Sequence, residues 1–287
     1  MKTVLAVLCI VIAFTSCDTP RYAYSPTAHN VPIFTKQGDS KLAAYYSNNG
    51  ASSATDEDGN EYEKNSAQGV DLQGAVAVTN NIAVQANYYL RSEKANSNST
   101  GNNYQKSSVK YNRNLFEFGA GYFTAFDKKE HFLFQVYGGA GFGKTKIRDI
   151  SVDFNQTRYD LFYNTNITKF FLEPSITFRT PREIFAATIA TRGSVVKFGK
   201  IQTNYSFDER REYNLDSLNR YAVFFLEPSF VGSFGFPKLP GFRIELQAGL
   251  SVLYEESFID YRPFNFSIGL VFDIRKLMNG AAVGSRD

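Results

Sequence analysis

A period-two alternation of apolar and polar residues constrains this chain more than any other feature. From Phe242 to Tyr254, the residues Phe242, Ile244, Leu246, Ala248, Leu250, Val252 and Tyr254 fall on one face; Arg243, Glu245, Gln247, Gly249 and Ser251 fall on the other. Phe264, Phe266, Ile268, Leu270, Phe272 and Ile274 repeat the pattern against Asn265, Ser267, Gly269 and Asp273, as do Ile82, Val84, Ala86, Tyr88 and Leu90 further upstream. A helix would scatter these residues around its circumference, whereas a strand sorts them onto two faces. Ten segments alternate in this way, at about 38–47, 69–78, 82–92, 112–126, 131–144, 160–179, 185–198, 220–235, 242–254 and 263–274.

The connections alternate as well. Long ones, at about 48–68, 93–111, 145–159, 199–219 and 255–262, are rich in Asn, Ser, Asp, Glu and Lys. Short ones are Thr79-Asn80-Asn81, Asp127 to Glu130, Thr180 to Ile184 and Phe236 to Gly241. Outer-membrane barrels have this asymmetry, with tight periplasmic turns, longer outside loops and an even strand number. Outward Tyr46, Tyr88 and Tyr254 fall near the long connections, and Phe236, Phe242 and Phe272 near the short ones, as interfacial aromatic girdles would. The expected fold is therefore all-β: a transmembrane antiparallel up-and-down barrel of about ten strands.

No helix is expected to span a bilayer, because the longest uncharged apolar run, Val4 to Phe14, has 11 residues where a spanning helix needs ~20. With 31 basic and 28 acidic residues among 287, the chain has no electrostatic footprint for nucleic acid. Lys2, the apolar run, then Thr15 and Ser16 before Cys17 have the layout of an export signal. Residues 1–16 resemble a bacterial lipoprotein signal peptide, which implies acylation of Cys17 as the mature N-terminus. Cleavage there leaves one cysteine, its sulfur occupied by lipid, so no disulfide is expected. Pro20, Pro26 and Pro32 make residues 17–37 read as an extended N-terminal tether. The barrel then covers 38–274, and 275–287 form a periplasmic tail. An even strand number would put both termini on the periplasmic side.

If Phe, Leu and Ile face lipid, the lumen receives Arg91, Glu117, Gln135, Lys169, Glu173, Arg179, Arg192, Glu227, Arg243, Glu245 and Gln247. Its carboxylates and cations can pair, giving a closed, salt-bridged interior; a slim polar pore is the alternative. Phe170-Phe171-Leu172-Glu173-Pro174-Ser175 returns as Phe224-Phe225-Leu226-Glu227-Pro228-Ser229. A proline inside a paired strand predicts a matched pair of bulges.

Motifs that suggest chemistry have plainer readings. Gly138 to Thr145 satisfies a phosphate-loop pattern, but the β-branched, alternating Lys146 to Val152 follows it instead of a helix. His29 lies in the tether and His131 beside a short turn, so neither reaches an outer rim where barrel hydrolases place a catalytic histidine. Zinc ligands are too few. The acidic run Asp56 to Glu63 has Gly59 too early for a calcium loop and reads as solvated surface. Asp216-Ser217-Leu218 matches a short O-glycosylation pattern. No enzyme activity, cofactor or metal is expected.

The Cys17 signal, Pro20-Arg21-Tyr22-Ala23-Tyr24-Ser25-Pro26, Gly38-Asp39-Ser40-Lys41-Leu42 and the ten segments together resemble small outer-membrane β-barrel lipoproteins of the Bacteroidota type. The resemblance implies a fold and an address and no activity. The role expected is structural or interactive, accessory to a larger envelope complex, with outer-membrane lipid and another envelope protein as partners. The alternatives are a narrow channel or solute-binding barrel, and a soluble periplasmic lipid-binding barrel with the two faces inverted.

Overall fold

A computed structural model describes residues 22–55, 61–97, 104–153, 155–181, 184–213, 215–254 and 259–276. Cys17 and the signal segment lie outside them, as does 56–60 of the acidic run.

The short strand β1 (Tyr22–Tyr24) precedes β2 (Ser40–Thr55), β3 (Glu61–Ala77), β4 (Ile82–Ser97), β5 (Tyr104–Ala125), β6 (Phe132–Asp153), β7 (Arg158–Arg179) and β8 (Phe185–Thr203). Then come β9 (Ala222–Phe236), β10 (Leu239–Leu250), β11 (Val252–Leu253), β12 (Asp260–Tyr261) and β13 (Phe264–Phe272). Neighbours in sequence pair antiparallel from β2 to β10, and β13 closes the ring between β10 and β2. β11 continues the line of β10 along β9, so the eleven strands of the sheet make a closed barrel of ten staves. Closure leaves no edge strand, as a bilayer requires.

The two faces are sorted as the alternation dictates. Leu246 and Leu270 are 36% and 47% exposed on the outside, while Glu245, between them in register, is 1% exposed inside. This overturns the soluble-barrel alternative, which needed the reverse. The outer apolar band starts at the short turns and runs, on β4, from Ile82 to Leu90, about 26 Å of strand at 3.3 Å per residue. Phe236, Phe242 and Phe272 cluster at its lower edge, with ring centroids 5.5 and 5.3 Å apart.

Beyond the band the phase of the alternation reverses. On β5 the outward residues change from Phe116 and Phe118 to Lys110, Asn112 and Asn114, while Val109 and Tyr111 turn inward and are buried. β6 and β7 behave alike, with Ile147, Tyr163 and Ile167 inside. Each of β5, β6 and β7 reaches 22 residues. Much of what the sequence presents as long polar connection is thus a second barrel storey with an ordinary apolar core, standing above the membrane band. The connection 204–221 folds into its mouth: Leu215 and Leu218 pack with Tyr205, Val196 and Phe225, and Tyr163 Oη donates to the Leu215 carbonyl at 3.0 Å. A short helix α1 (Phe207–Glu212), closed by a Ser206/Glu209 capping box, shapes this cover.

The expected bulges do not form. Pro174 sits opposite Val136, and Pro228 opposite Thr191, with no shift of register. The missing proline donor interrupts the ladder on the other side instead: β7 and β8 skip from Leu172↔Gly193 to Ser175↔Ala190, and the gap between β10 and β11 lies across from Pro228. Omitting a bond preserves the two-residue phase that holds Glu173 and Glu227 inside; a bulge would turn one of them toward lipid.

Residues 17–37 are also corrected in part. From Tyr22 the chain is no free tether: it runs down the inside of the barrel. Tyr22–Tyr24 pairs in parallel with β12 among the long connections, Ala28 packs at mid-height on Tyr45 and Val271, and Phe34 meets Phe123 and Tyr137 near the short turns. A turn at 35–39, with Gly38 at φ +83° and Asp39 accepting from the Thr35 and Lys36 amides, feeds the chain into β2. Tyr22 and the helical residues 274–276 therefore occupy opposite ends of the barrel. Strand parity alone put both termini on the short-turn side; the internal segment adds one crossing and moves Tyr22 to the other end.

Candidate functional site

Among the described residues the lumen is where this fold concentrates its buried charge. The wall supplies charges from inward positions, and the internal segment supplies backbone groups with no ladder to satisfy them. Wall amide and carboxylate side chains take that role. Gln247 accepts from the His29 N–H at 2.9 Å and donates to the His29 carbonyl at 3.0 Å, as a neighbouring strand would. Asp71 accepts from the Ala28 N–H at 2.9 Å, Gln73 donates to the Ala28 carbonyl at 3.0 Å, and Gln135 donates to the Pro32 carbonyl at 2.6 Å. Asn30 donates to Asn87 at 2.7 Å.

Four charged groups lie along this segment. At mid-height Lys169 Nζ is 3.2 Å from Glu117 and 3.4 Å from Glu227, and Arg192 is 2.5 Å from Glu173 and 3.6 Å from Glu117. The internal segment completes the cluster: Tyr24 Oη donates to Glu227 at 2.9 Å and accepts from Lys169 at 2.9 Å, Thr27 accepts from Arg192 at 3.1 Å, and His29 Nδ1 lies 3.4 Å from Glu173. Toward the long connections Arg91 pairs with Asp71. Above it Arg113 pairs with Glu93, whose carboxylate also holds Arg262 at 3.1 Å and accepts from Ser25 at 2.6 Å. In the fourth group, Lys41 lies 3.3 Å from Glu245, which also accepts from Tyr45.

Of the positions the sequence singles out, the structure gathers Glu117, Lys169, Glu173, Arg192 and Glu227 into one cluster and distributes Arg91 and Glu245 to others. Arg243 is buried on β10 near the short turns. Arg179 stands apart, half-buried at the short-turn end and 2.6 Å from Glu130. Sequence reasoning missed Asp71, Glu93, Arg113 and Lys41. All four were detectable by parity, since Asp71 alternates with Val70 and Leu72, Glu93 follows Arg91 by two, and Arg113 and Lys41 share their strands' inward phase with Glu117 and Tyr45.

The glycine-rich run 138–145 lies within β6, with no helix after it. Its glycines make room for rings across the wall: a Cβ at Gly139 would come 2.8 Å from Phe171, and one at Gly121 on β5 2.5 Å from Tyr137. Among the described residues no group of three or more His, Cys, Asp and Glu could hold a metal.

Gln247→Ala is expected to cost about 2–4 kcal/mol, since it strands a buried N–H and a buried carbonyl of His29. A urea titration followed by the fraction keeping folded migration on an unboiled gel would show the shift; an unchanged midpoint would mean that this clamp does not hold the internal segment.

No family model matches the sequence, and no curated protein sequence does. Among solved structures the barrel is similar to the translocator domain of the autotransporter NalP from Neisseria meningitidis, at TM-score 0.50 and 10% identity, over 82% of this chain and 88% of that one. The outer-membrane protease OmpT from Escherichia coli aligns at TM-score 0.42 and 10% identity, over 84% and 98%. At such identity the likeness is one of fold: an outer-membrane β-barrel.

Proposed function

We propose that this chain is a closed, non-conducting outer-membrane barrel with a structural and interaction role and no catalytic activity. One observation carries the reading. The lumen is filled by the chain's own residues 22–35, hydrogen-bonded to the wall and joined to its central charge cluster. A pore or a solute site would need that space. Burying an ionic cluster is seldom the most stable option, and here it gives the internal segment a single seat. The partners in this reading are membrane lipid along the apolar band and a second envelope protein. Planar-bilayer recording of the purified intact chain tests it: a silent bilayer is expected, and steady current would transfer the protein to the channel class.

The same reading gives the N-terminus an address. We take the long connections to face the exterior and Cys17 to be acylated. Four residues separate Cys17 from Tyr22, and the five Cα steps between them reach at most about 17 Å, which puts the acyl chains beside the outer leaflet. Incorporation of an alkyne-bearing fatty acid, lost in Cys17→Ser, tests the acylation. Labelling of Thr19→Cys in intact cells by an impermeant maleimide tests the side, and protection of that residue until the outer membrane is opened would reverse it.

A further inference from the structure

Outside the wall, where the apolar band of β3 to β6 ends, the outward residues form three rows in register. The lowest is Tyr46, Val70, Leu90, Asn114 and Lys144; the next holds Gln68, Ser92, Asn112 and Lys146; the third brings Lys94 opposite Lys110 and Lys110 opposite Arg148. None of these outward positions is a carboxylate. Arg148 is neutralised by Asp160 at 2.6 Å. Lys94, Lys110, Lys144 and Lys146 are exposed and take part in none of the ion pairs found among the described residues. Like charges directly across a ladder destabilise it, so the Lys94–Lys110 pair is a local cost that the fold itself does not relieve, and Lys144 and Lys146 add exposed positive charge on the neighbouring strand. Across the two lower rows the wall carries a groove of about 460 Å³, lined by Tyr46, Val70, Leu90 and Lys144 in the lowest and by Asn112 and Lys146 in the next.

We infer that this groove seats a phosphate-bearing lipid of the leaflet on the long-connection side. Its headgroup phosphates would lie among the four lysines, and its acyl chains would run down over Leu90, Tyr88 and Phe116. The match is in sign and in height. An anionic headgroup stands where hydrocarbon gives way to water, and the lysines begin one row above the last continuous apolar row. The inference rests on the outer-membrane reading above and is independent of whether the lumen conducts.

The test uses the full chain folded in a zwitterionic detergent, with diphosphorylated lipid A and the same lipid stripped of phosphate as probes, and binding read by native mass spectrometry. The intact protein is expected to retain the phosphorylated lipid and to lose it in high salt, as screening demands. Changing Lys94, Lys110, Lys144 and Lys146 together to Gln should weaken binding at least about tenfold, given roughly a tenfold-scale gain from even one or two cations at a lipid surface. The same four positions changed to Arg should retain it, and Lys128→Gln with Lys129→Gln, beside a short turn, should have no effect. Unboiled migration confirms that each variant is folded; if the Gln variant is not, the salt dependence and the two-lipid comparison decide. Equal retention of the dephosphorylated lipid, full binding by a folded Gln variant, or displacement by inorganic phosphate at an ionic strength where chloride leaves the lipid bound would each overturn the proposal. The measurement involves neither a current nor a sidedness, so its failure and the failure of the closed-barrel reading are separately visible.

Discussion

Lys169→Met is expected to destabilise the folded barrel by about 3–5 kcal/mol, the scale for removing one partner from a buried ion pair. Lys169 lies between Glu117 and Glu227 and donates to Tyr24, which in turn donates to Glu227. Without its ammonium, three carboxylates face the single guanidinium of Arg192, and Tyr24 loses the donor that fixes its ring. Methionine keeps most of the volume, so the loss reports charge rather than a cavity. The control is Lys169→Met combined with Glu227→Gln. Taking out both ends of a buried pair is often close to neutral, and the double variant should recover most of the stability. Urea midpoints from unboiled migration measure four proteins, the parent, each single variant and the double. A single variant as stable as the parent, or a double variant as poor as the sum of its parts, would mean that the cluster is solvated and not a sealed core.

The same cluster shows how far the amino-acid order could be read. Glu117, Lys169, Glu173, Arg192 and Glu227 were recoverable because each lies two, four or six places from other inward residues on a strand whose outer face is plainly Phe, Leu and Ile. Period two is rigid, and one well-marked face assigns the other. Where the outer face stopped being apolar, the signal failed. Lys110, Lys146 and Arg148 look like loop, although they sit on unbroken ladders, because above the bilayer the sheet follows the rule of a water-soluble barrel. The trace of that change is a phase reversal within one segment, from Val109 and Tyr111 to Phe116 and Phe118. The path of 22–35 was illegible for a different reason. Three prolines mark an extended segment, but nothing local says whether water or a barrel wall satisfies its backbone. The partners are Asp71, Gln73, Gln135 and Gln247, dozens to hundreds of residues away. Tyr22, Ala23 and Tyr24 held the one hint, since an apolar aromatic triplet is ill suited to a solvated tether.

Replacing 206–219 by a short Gly-Ser linker and deleting residues 23–35 in the same chain is expected to convert a silent barrel into a conducting one. Two separate elements close the lumen. The internal segment fills it from the cap to the short turns, and the cover at 204–221 seals the upper storey through Leu215 and Leu218. Deleting 23–35 alone removes Ala23 and Tyr24 from the cover's own packing and unstacks Phe225 from Tyr24, whose rings are 4.4 Å apart; brief, flickering openings are expected from it. Replacing the cover alone leaves the segment seated and the bilayer silent. In the double variant Asp71 keeps Arg91 and Glu93 keeps Arg113, so water entering the lumen meets paired charges and Gln side chains released from backbone duty. The wall should survive, because every ladder from β2 to β13 closes without the segment, and an unboiled migration shift checks that it has. Bilayer recordings of the four proteins form a cycle in which current should rise more than additively in the double variant. A folded double variant that stays silent would show that the wall's own side chains close the lumen and that the internal segment serves another purpose.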